Sequence, residues 1–143
     1  MIIGIYSTII TKPMPLQDNC VESYQAEDVF EHIDYDKLPE VINEIYRVLK
    51  PGGYFRLSVP DYGSDVYIER STKDEKGNVV FDPGGGGTPE NSGHLWSPRY
   101  DSVKALFDKT KFAEKGKVRF LHYWQMDGKG VTNKIDYSKR RRH

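Results

Sequence analysis

The chain lacks an excess of charge of either sign, and this absence already narrows its function. Its 143 residues carry 21 basic and 21 acidic side chains, so the formal net charge is zero. A protein that binds nucleic acid normally shows a basic excess or a basic stripe. The basic run from Lys139 to Arg142 lies at the C-terminal end, where a solvated tail is the simpler interpretation. We therefore expect no nucleic-acid partner.

The chain also lacks the cysteines of a disulfide-stabilised protein or of a cysteine zinc site. Its single cysteine, Cys20, cannot form an intramolecular disulfide. Because Cys20 stands between a turn and a predicted strand, we expect a small buried residue rather than a catalytic thiol. The apolar segment that begins at Met1 is ended by Lys12 and Pro13, which makes it too short for a membrane span. We therefore expect a cytoplasmic protein with no membrane partner.

A phosphate-binding loop is absent as well, although the four consecutive glycines Gly84–Gly87 suggest one. Such a loop needs a lysine followed by serine or threonine after its last glycine, whereas Thr88 and Pro89 follow here. We therefore predict that the glycines belong to a flexible lid within a long irregular region, residues 60–97. The lid would bring three side chains at its far end to a substrate, namely Asn91, His94 and Trp96.

Residues that suit a metal ion are present in this region, but they form no recognised pattern. Asp61, Asp82 and His94 are the candidates, and their spacing matches none of the common ligand motifs. The sequence therefore predicts no metal site.

The clearest element is an amphipathic helix over residues 37–50. Its apolar side chains recur at helical spacing on one face, while Glu40 and Glu44 lie on the other. Asp36 is the predicted N-cap. Pro51, Gly52 and Gly53 then end the helix.

Strands are predicted on both sides of this helix, over Cys20–Ala26 and Tyr54–Val59. Since a helix connects them, we expect parallel neighbours in one sheet. Further predicted elements are a strand over Met1–Thr11, a hairpin that joins Tyr67-Ile68 to Val79–Phe81, a helix over 98–109 capped by Ser97, and a terminal antiparallel hairpin of Lys117–Trp124 and Val131–Tyr137. This order predicts an α/β fold with a C-terminal antiparallel hairpin.

The most informative motifs lie between residues 15 and 61. Asp18-Asn19 leads into the predicted strand Cys20–Ala26, and Glu31-His32 follows that strand. Arg-Val-Leu-Lys-Pro-Gly-Gly over residues 47–53 precedes the predicted strand Tyr54–Val59. In this arrangement the chain resembles the C-terminal half of class I S-adenosylmethionine-dependent methyltransferases. The resemblance implies a partial Rossmann-like sheet, S-adenosylmethionine as cofactor, and a methyl acceptor that the sequence does not identify.

The resemblance also implies where the site lies. In open α/β sheets, ligands bind at the carboxyl ends of the strands. Three cofactor-binding residues and three catalytic residues are implied there, and these are Gln25, Ala26 and Glu27, and Glu31, His32 and Asp61.

His32 has two interpretations. It suits a general base because histidine titrates near neutral pH. A Glu-His pair at the start of a helix can also brace its own loop through backbone hydrogen bonds. Because methyl transfer depends mainly on alignment of the nucleophile with the methyl carbon, we expect the bracing role.

The family's glycine-rich cofactor loop and acidic ribose-binding residue, which stand upstream of these motifs, are not found in the chain. We therefore expect one truncated domain, 1–143, that binds S-adenosylmethionine weakly or not at all by itself. A second hypothesis is a non-catalytic domain that keeps this half of the fold for self-association or partner binding. Because a sheet of this extent leaves the Cys20–Ala26 strand at an exposed edge, we expect a homo-oligomer, most simply a dimer.

Overall fold

The computed structural model of the chain describes residues 12–134. The predicted strand over Met1–Thr11 and the basic run from Lys139 to Arg142 lie outside these residues, and so does the end of the predicted strand Val131–Tyr137. The described part combines helices with small sheets. The predicted mixed α/β class is therefore confirmed. Within residues 12–134, no helix is long and apolar enough to cross a membrane.

The centre of the fold is a parallel pair of strands joined by a helix. Strand β1 (Val21–Glu27) pairs with strand β2 (Leu49–Ser58), and helix α1 (Leu38–Val48) connects them. The predicted parallel neighbours are therefore confirmed. Strand β2 begins five residues earlier than predicted, because a register shift near the start of β1 accommodates the Pro-Gly-Gly turn. Gly52 has a φ of 80° in that turn, a conformation that favours glycine.

Helix α1 has the predicted apolar face but a different start. Its buried side chains are Leu38, Val41, Ile42, Ile45 and Val48. Asp36 is not the N-cap, since it lies in a preceding 3-10 turn, Tyr35–Lys37. Glu44 does not face solvent freely either, because its carboxylate accepts hydrogen bonds from the Met14 amide (2.7 Å) and from the Arg47 guanidinium. The polar face of α1 thus holds the chain that leads into β1.

Cys20 is exposed, so the prediction of a buried cysteine is wrong. The residue lies one position ahead of β1, after Asn19 with a φ of 56°. Its amide donates to the Val48 carbonyl oxygen at 2.9 Å. The side chains of β1 become buried only further along the strand, at Tyr24 and Ala26.

The core lies between this strand pair and helices α1, α3 (Tyr100–Asp108) and α4 (Lys111–Lys115). Helix α2 (Asp65–Arg70), which follows β2, has no buried residue. Phe55 of β2 is central, with its ring centroid 5.8–6.2 Å from those of four aromatic neighbours. Those neighbours are Tyr24, Phe30, Phe107 and Phe112.

Helix α3 begins two residues later than predicted. Ser97 is not its cap; Arg99 is the N-cap residue, and its amide donates to the Ser102 hydroxyl at 3.0 Å. Pro98 lies outside the helix and is buried, and its carbonyl accepts from the Tyr62 amide at 2.8 Å. The Ser-Pro pair therefore anchors the loop after β2 instead of opening the helix.

Short elements fill the region that was predicted to be irregular. Strands β3 (Thr72–Lys73) and β4 (Val79–Phe81) form a hairpin around the predicted tip. The prediction that Tyr67 and Ile68 belong to this hairpin is wrong, since both residues lie in α2. The Asp74 carboxylate accepts hydrogen bonds from the backbone amides of Lys76 and Asn78, which fixes the turn.

The glycine run belongs to a second short hairpin. A 3-10 turn, Pro83–Gly85, leads to strands β5 (Gly87–Thr88) and β6 (Asn91–Ser92). A side chain at Gly93 would overlap the carbonyl oxygens of Gly85 and Gly86. The backbones therefore approach one another closely, which explains why glycines accumulate here.

The chain ends its described part in an antiparallel hairpin, as predicted. Strands β7 (His122–Trp124) and β8 (Gly130–Thr132) are shorter than the predicted strands. They pair with each other and, within residues 12–134, not with the β1–β2 sheet. A hydrogen bond from the Trp124 amide to Asp61 Oδ2 (2.7 Å) connects the hairpin to the loop after β2.

The buried face of α1 yields a direct test of this fold. Ile42 is fully buried, so Ile42→Asp introduces an unpaired buried carboxylate and should cost about 4 kcal/mol or more of the free energy of unfolding. Glu40→Ala on the exposed side of the same helix should change it by less than about 0.5 kcal/mol. Urea unfolding followed by circular dichroism measures both. Equal midpoints for the two variants would contradict the assigned face.

Candidate functional site

The loop after β1 carries the predicted Glu-His pair. Asp28 turns the chain with a φ of 52°, and its amide donates to the Ser58 carbonyl at the end of β2 (3.0 Å). A 3-10 turn, Phe30–His32, then presents Glu31 inward and leaves His32 partly exposed. The pair therefore lies at the carboxyl ends of two parallel strands, where open α/β sheets bind ligands.

The segment after the second hairpin packs against this loop. The Leu95 amide donates to the Glu31 carbonyl at 2.7 Å, and the Trp96 indole donates to the Phe30 carbonyl at 2.9 Å. His32 Nδ1 lies 2.7 Å from the Gly93 carbonyl oxygen. The structure thus brings His94 and Trp96 to the Glu-His pair, through backbone bonds that brace the loop.

Glu31 is the most deeply buried charged residue of the site. Its side chain is 1% exposed, and Oε1 lies 3.9 Å from Nε2 of both His32 and His94. Its other oxygen, Oε2, has no hydrogen-bond partner among the described residues. Burial raises the pKa of Glu31, although a backbone hydrogen bond and His32 oppose the effect.

A chain of buried hydrogen bonds leads away from His94. Its Nδ1 lies 2.6 Å from the Tyr62 hydroxyl, which donates to Asp82 Oδ2, also at 2.6 Å. Arg70 donates to both oxygens of Asp82, at 2.8 Å and 2.7 Å. Burial, and next the neighbouring His32, lower the pKa of His94. Both effects favour the neutral form of His94.

Asp82 is ionised even though it is buried. Burial alone would raise its pKa, but the bonds from Arg70, Tyr62 and the Gly84 amide outweigh burial and hold the pKa below its usual value. Burial, together with the Asp82 carboxylate, raises the pKa of Tyr62. Asp82 is fully engaged in these bonds, so it serves the hydrogen-bond chain and is not free to bind a metal.

Of the predicted catalytic and lid residues, three are not part of the cluster of Glu31, His32 and His94. Asp61 accepts from the Gly63 amide (2.8 Å) and the Trp124 amide, so its carboxylate holds the loop after β2. Asn91 is exposed in β6, and its amide donates to the Thr88 hydroxyl. The Trp96 ring packs on Tyr35 with centroids 5.0 Å apart. The contacts of these three residues therefore stabilise the fold and do not contribute to the cluster.

The end of β1 fits only part of the cofactor that the resemblance implies. Gln25 and Glu27 are exposed, and their side chains hydrogen-bond each other, so they can meet the polar groups of a methionine moiety. Ala26 is 4% exposed and faces the core, so its side chain cannot contact a ligand. Within residues 12–134, no glycine-rich turn joins the end of β1 to a helix that could hold the ribose.

The comparison with protein families agrees with the resemblance. Residues 7–57 match the family model of a methyltransferase domain. The match runs through β1, the Glu-His loop and α1 and ends within β2. The predicted resemblance to a class I methyltransferase-type domain is therefore confirmed for this segment. No curated protein and no solved structure matched the chain.

Sequence reasoning missed Tyr62 and Arg70, and it considered Asp82 only as a metal ligand. These three residues are separated from Glu31 by 31 to 51 positions in the sequence, and no local periodicity signals a buried polar chain. The sequence signal that could have indicated them is the density of polar and aromatic residues in the region 60–97. This region is too polar to form a hydrophobic core, so its buried polar groups must hydrogen-bond to one another.

The ionised state of Asp82 predicts how stability depends on pH. Its pKa is lowered in the folded state, so its contribution is complete above the unfolded pKa of about 3.9 and is lost as the pH falls through the folded value. Asp82→Asn should therefore cost about 2–3 kcal/mol at pH 7, since it removes the charged partner of Arg70.

The difference in stability between wild type and Asp82→Asn should shrink as the pH falls to about 3, because a protonated aspartic acid resembles asparagine. Thermal unfolding of both proteins between pH 3 and pH 7 measures it. Asp36→Asn is the matched control, since Asp36 is exposed in the 3-10 turn before α1. A difference for Asp82→Asn that stays constant with pH would show that its charge has no role.

Proposed function

We propose that the chain is an S-adenosylmethionine-dependent methyltransferase, or the part of one that presents the Glu-His loop to the reacting groups. The observation that carries this proposal is the match of residues 7–57 to a methyltransferase domain. It is supported by the parallel β1–α1–β2 unit, whose strand ends both face the loop with Glu31 and His32. Ligands of open α/β sheets bind at such strand ends.

The proposed roles follow from the bonding of each side chain. Gln25 and Glu27 are exposed at the end of β1 and would meet the methionine part of the cofactor. Glu31 and His32 bond to the segment Gly93–Leu95 and would hold the loop in position. S-adenosylmethionine, when bound, would supply a methyl group on a positively charged sulfur for transfer to a nucleophile, which would lose a proton. Alignment supplies most of the rate gain in such a step, which agrees with a positioning role for the Glu-His pair.

Binding of the cofactor by this chain tests the proposal. We expect a dissociation constant near the millimolar range, worth about 4 kcal/mol, because the described residues meet only the methionine part. Titration with S-adenosylhomocysteine, followed by amide NMR, should shift the signals of residues 25–28 and 58–61. The double variant Gln25→Ala/Glu27→Ala should lose these shifts.

Glu22→Ala, which removes an exposed side chain at the other end of β1, is the control and should retain the shifts. A micromolar constant in calorimetry would contradict the expected weak binding. Signals unmoved at millimolar ligand would contradict the proposed site itself.

We further propose that the chain forms a homodimer. Within residues 12–134, β1 pairs with β2 alone, so its other edge has no strand beside it. An open edge with unpaired backbone groups invites pairing with another chain, and two-fold symmetry is the commonest outcome. This observation also favours the second candidate function, a domain that acts in self-association.

Sedimentation equilibrium measures the oligomeric state. We expect a dimer at high micromolar concentration, and deletion of Met1 to Thr8 should dissociate it or make the protein insoluble. Deletion of residues 138–143 is the control and should leave the oligomeric state unchanged. A well-folded monomer at the same concentration would contradict the dimer.

A further inference from the structure

Three acceptor atoms converge at the Glu-His loop without a donor between them. Glu31 Oε1 lies 3.9 Å from the Nε2 atoms of His32 and of His94. One ligand atom from each residue can be chosen so that all lie within 4.8 Å of one another. These separations are too long for direct hydrogen bonds. What fills the space between the three atoms depends on where the histidine protons are.

The proton of His32 is fixed by a backbone carbonyl. Its Nδ1 lies 2.7 Å from the Gly93 carbonyl oxygen, which can only accept a hydrogen bond. The proton of the neutral ring is therefore on Nδ1. As a result, the lone pair of Nε2 faces Glu31.

The proton of His94 is fixed by a longer chain. The Tyr62 hydroxyl gives its only hydrogen to Asp82, because an ionised carboxylate bound by Arg70 can only accept. The Tyr62 oxygen must then accept from His94 Nδ1, 2.6 Å away. The lone pair of His94 Nε2 is therefore also free, and it faces the same carboxylate.

Without a positive group between them, the lone pairs of these three atoms would repel one another beside a buried carboxylate. Glu31 is 1% exposed, and its Oε2 has no partner among the described residues. An unpaired buried carboxylate is costly. Two imidazoles and one carboxylate are instead the donor set of many Zn²⁺ sites.

We propose that Glu31, His32 and His94 form a binding site for a divalent transition-metal ion such as Zn²⁺. The proposal goes beyond the methyltransferase function and does not rest on it. The bonds to Gly93 and to Tyr62 and Asp82 are the outer contacts that metal-binding histidines usually have, since they fix the tautomer and the ring orientation.

The geometry requires a contraction and leaves the site open. Tetrahedral Zn²⁺ holds its ligand atoms about 3.3 Å apart, so the Glu31–histidine separations of 3.9 Å must shorten, and so must any separation in the set that reaches 4.8 Å. The His32 side chain is 39% exposed, whereas that of His94 is 11% exposed. His32 therefore has the freedom to close the site. Three protein ligands leave one coordination position for water or an oxygen or sulfur ligand.

Metal titrations of the full chain test the site. Isothermal calorimetry should give one Zn²⁺ per chain with a micromolar or tighter constant, and Co²⁺ should give the visible spectrum of a low-coordinate site that Zn²⁺ abolishes. Glu31→Gln and His32→Ala should each weaken Zn²⁺ by about 100-fold or more, since losing a ligand costs at least as much as losing an outer contact.

His122→Ala is the matched control, because His122 is exposed in β7 and should not affect the affinity. Circular dichroism shows whether each variant is folded, and Glu31→Gln keeps the shape of the side chain. Absence of Zn²⁺ binding by the wild type, or equal affinity for wild type and His32→Ala, would overturn the proposal.

A variant outside the three ligands tests whether the hydrogen bond to His94 supports metal binding. Tyr62→Phe removes the acceptor of the His94 Nδ1 proton and should weaken Zn²⁺ by about 10-fold. Tyr67→Phe removes a neighbouring hydroxyl outside this hydrogen-bond chain and should leave the affinity unchanged. Equal affinities for the two variants would show that the metal is not bound through His94.

Discussion

The burial of one carboxylate is the constraint on which the site depends. Glu31 is placed inside the protein because its own backbone carbonyl bonds to Leu95 and the adjacent Phe30 is fully buried in the core. A group in this position must be protonated, paired or bound to a cation. The two histidines beside it carry their protons on Nδ1 and so cannot donate to it through Nε2, which is why a bound cation is proposed there. The same contacts fasten the middle of the chain to the β1–β2 sheet.

The predictable part of the fold is the part governed by local periodicity. Helix α1 and its two strands were predicted because apolar residues recur there with the spacing of a helix and of strands. The start of β2 was missed, because a strand that runs through Pro-Gly-Gly requires a register shift that only the pairing with β1 creates. Ser97 and Pro98 look like a helix start locally, but the Tyr62 amide binds the Pro98 carbonyl and moves the start to Tyr100.

The candidate site could be predicted only where it is local or carried by the family motif. Glu31 and His32 were selected from the motif, and His94 from its place at the far end of the predicted lid. Their convergence depends on contacts across more than sixty residues, such as that between His32 and Gly93. No sequence pattern predicts contacts between residues so far apart in the chain. For the same reason the sequence predicts no metal site, whereas the structure supports a proposal of one.

The protonation of the two histidines is the central claim, since the orientation of both rings and the proposed cation depend on it. Long-range ¹H–¹⁵N NMR of the metal-free protein at pH 8 measures it directly. The structure predicts a proton on Nδ1 and a free Nε2 for both His32 and His94, with both Nε2 signals shifting when Zn²⁺ is added. A proton on Nε2 of either ring would contradict this account.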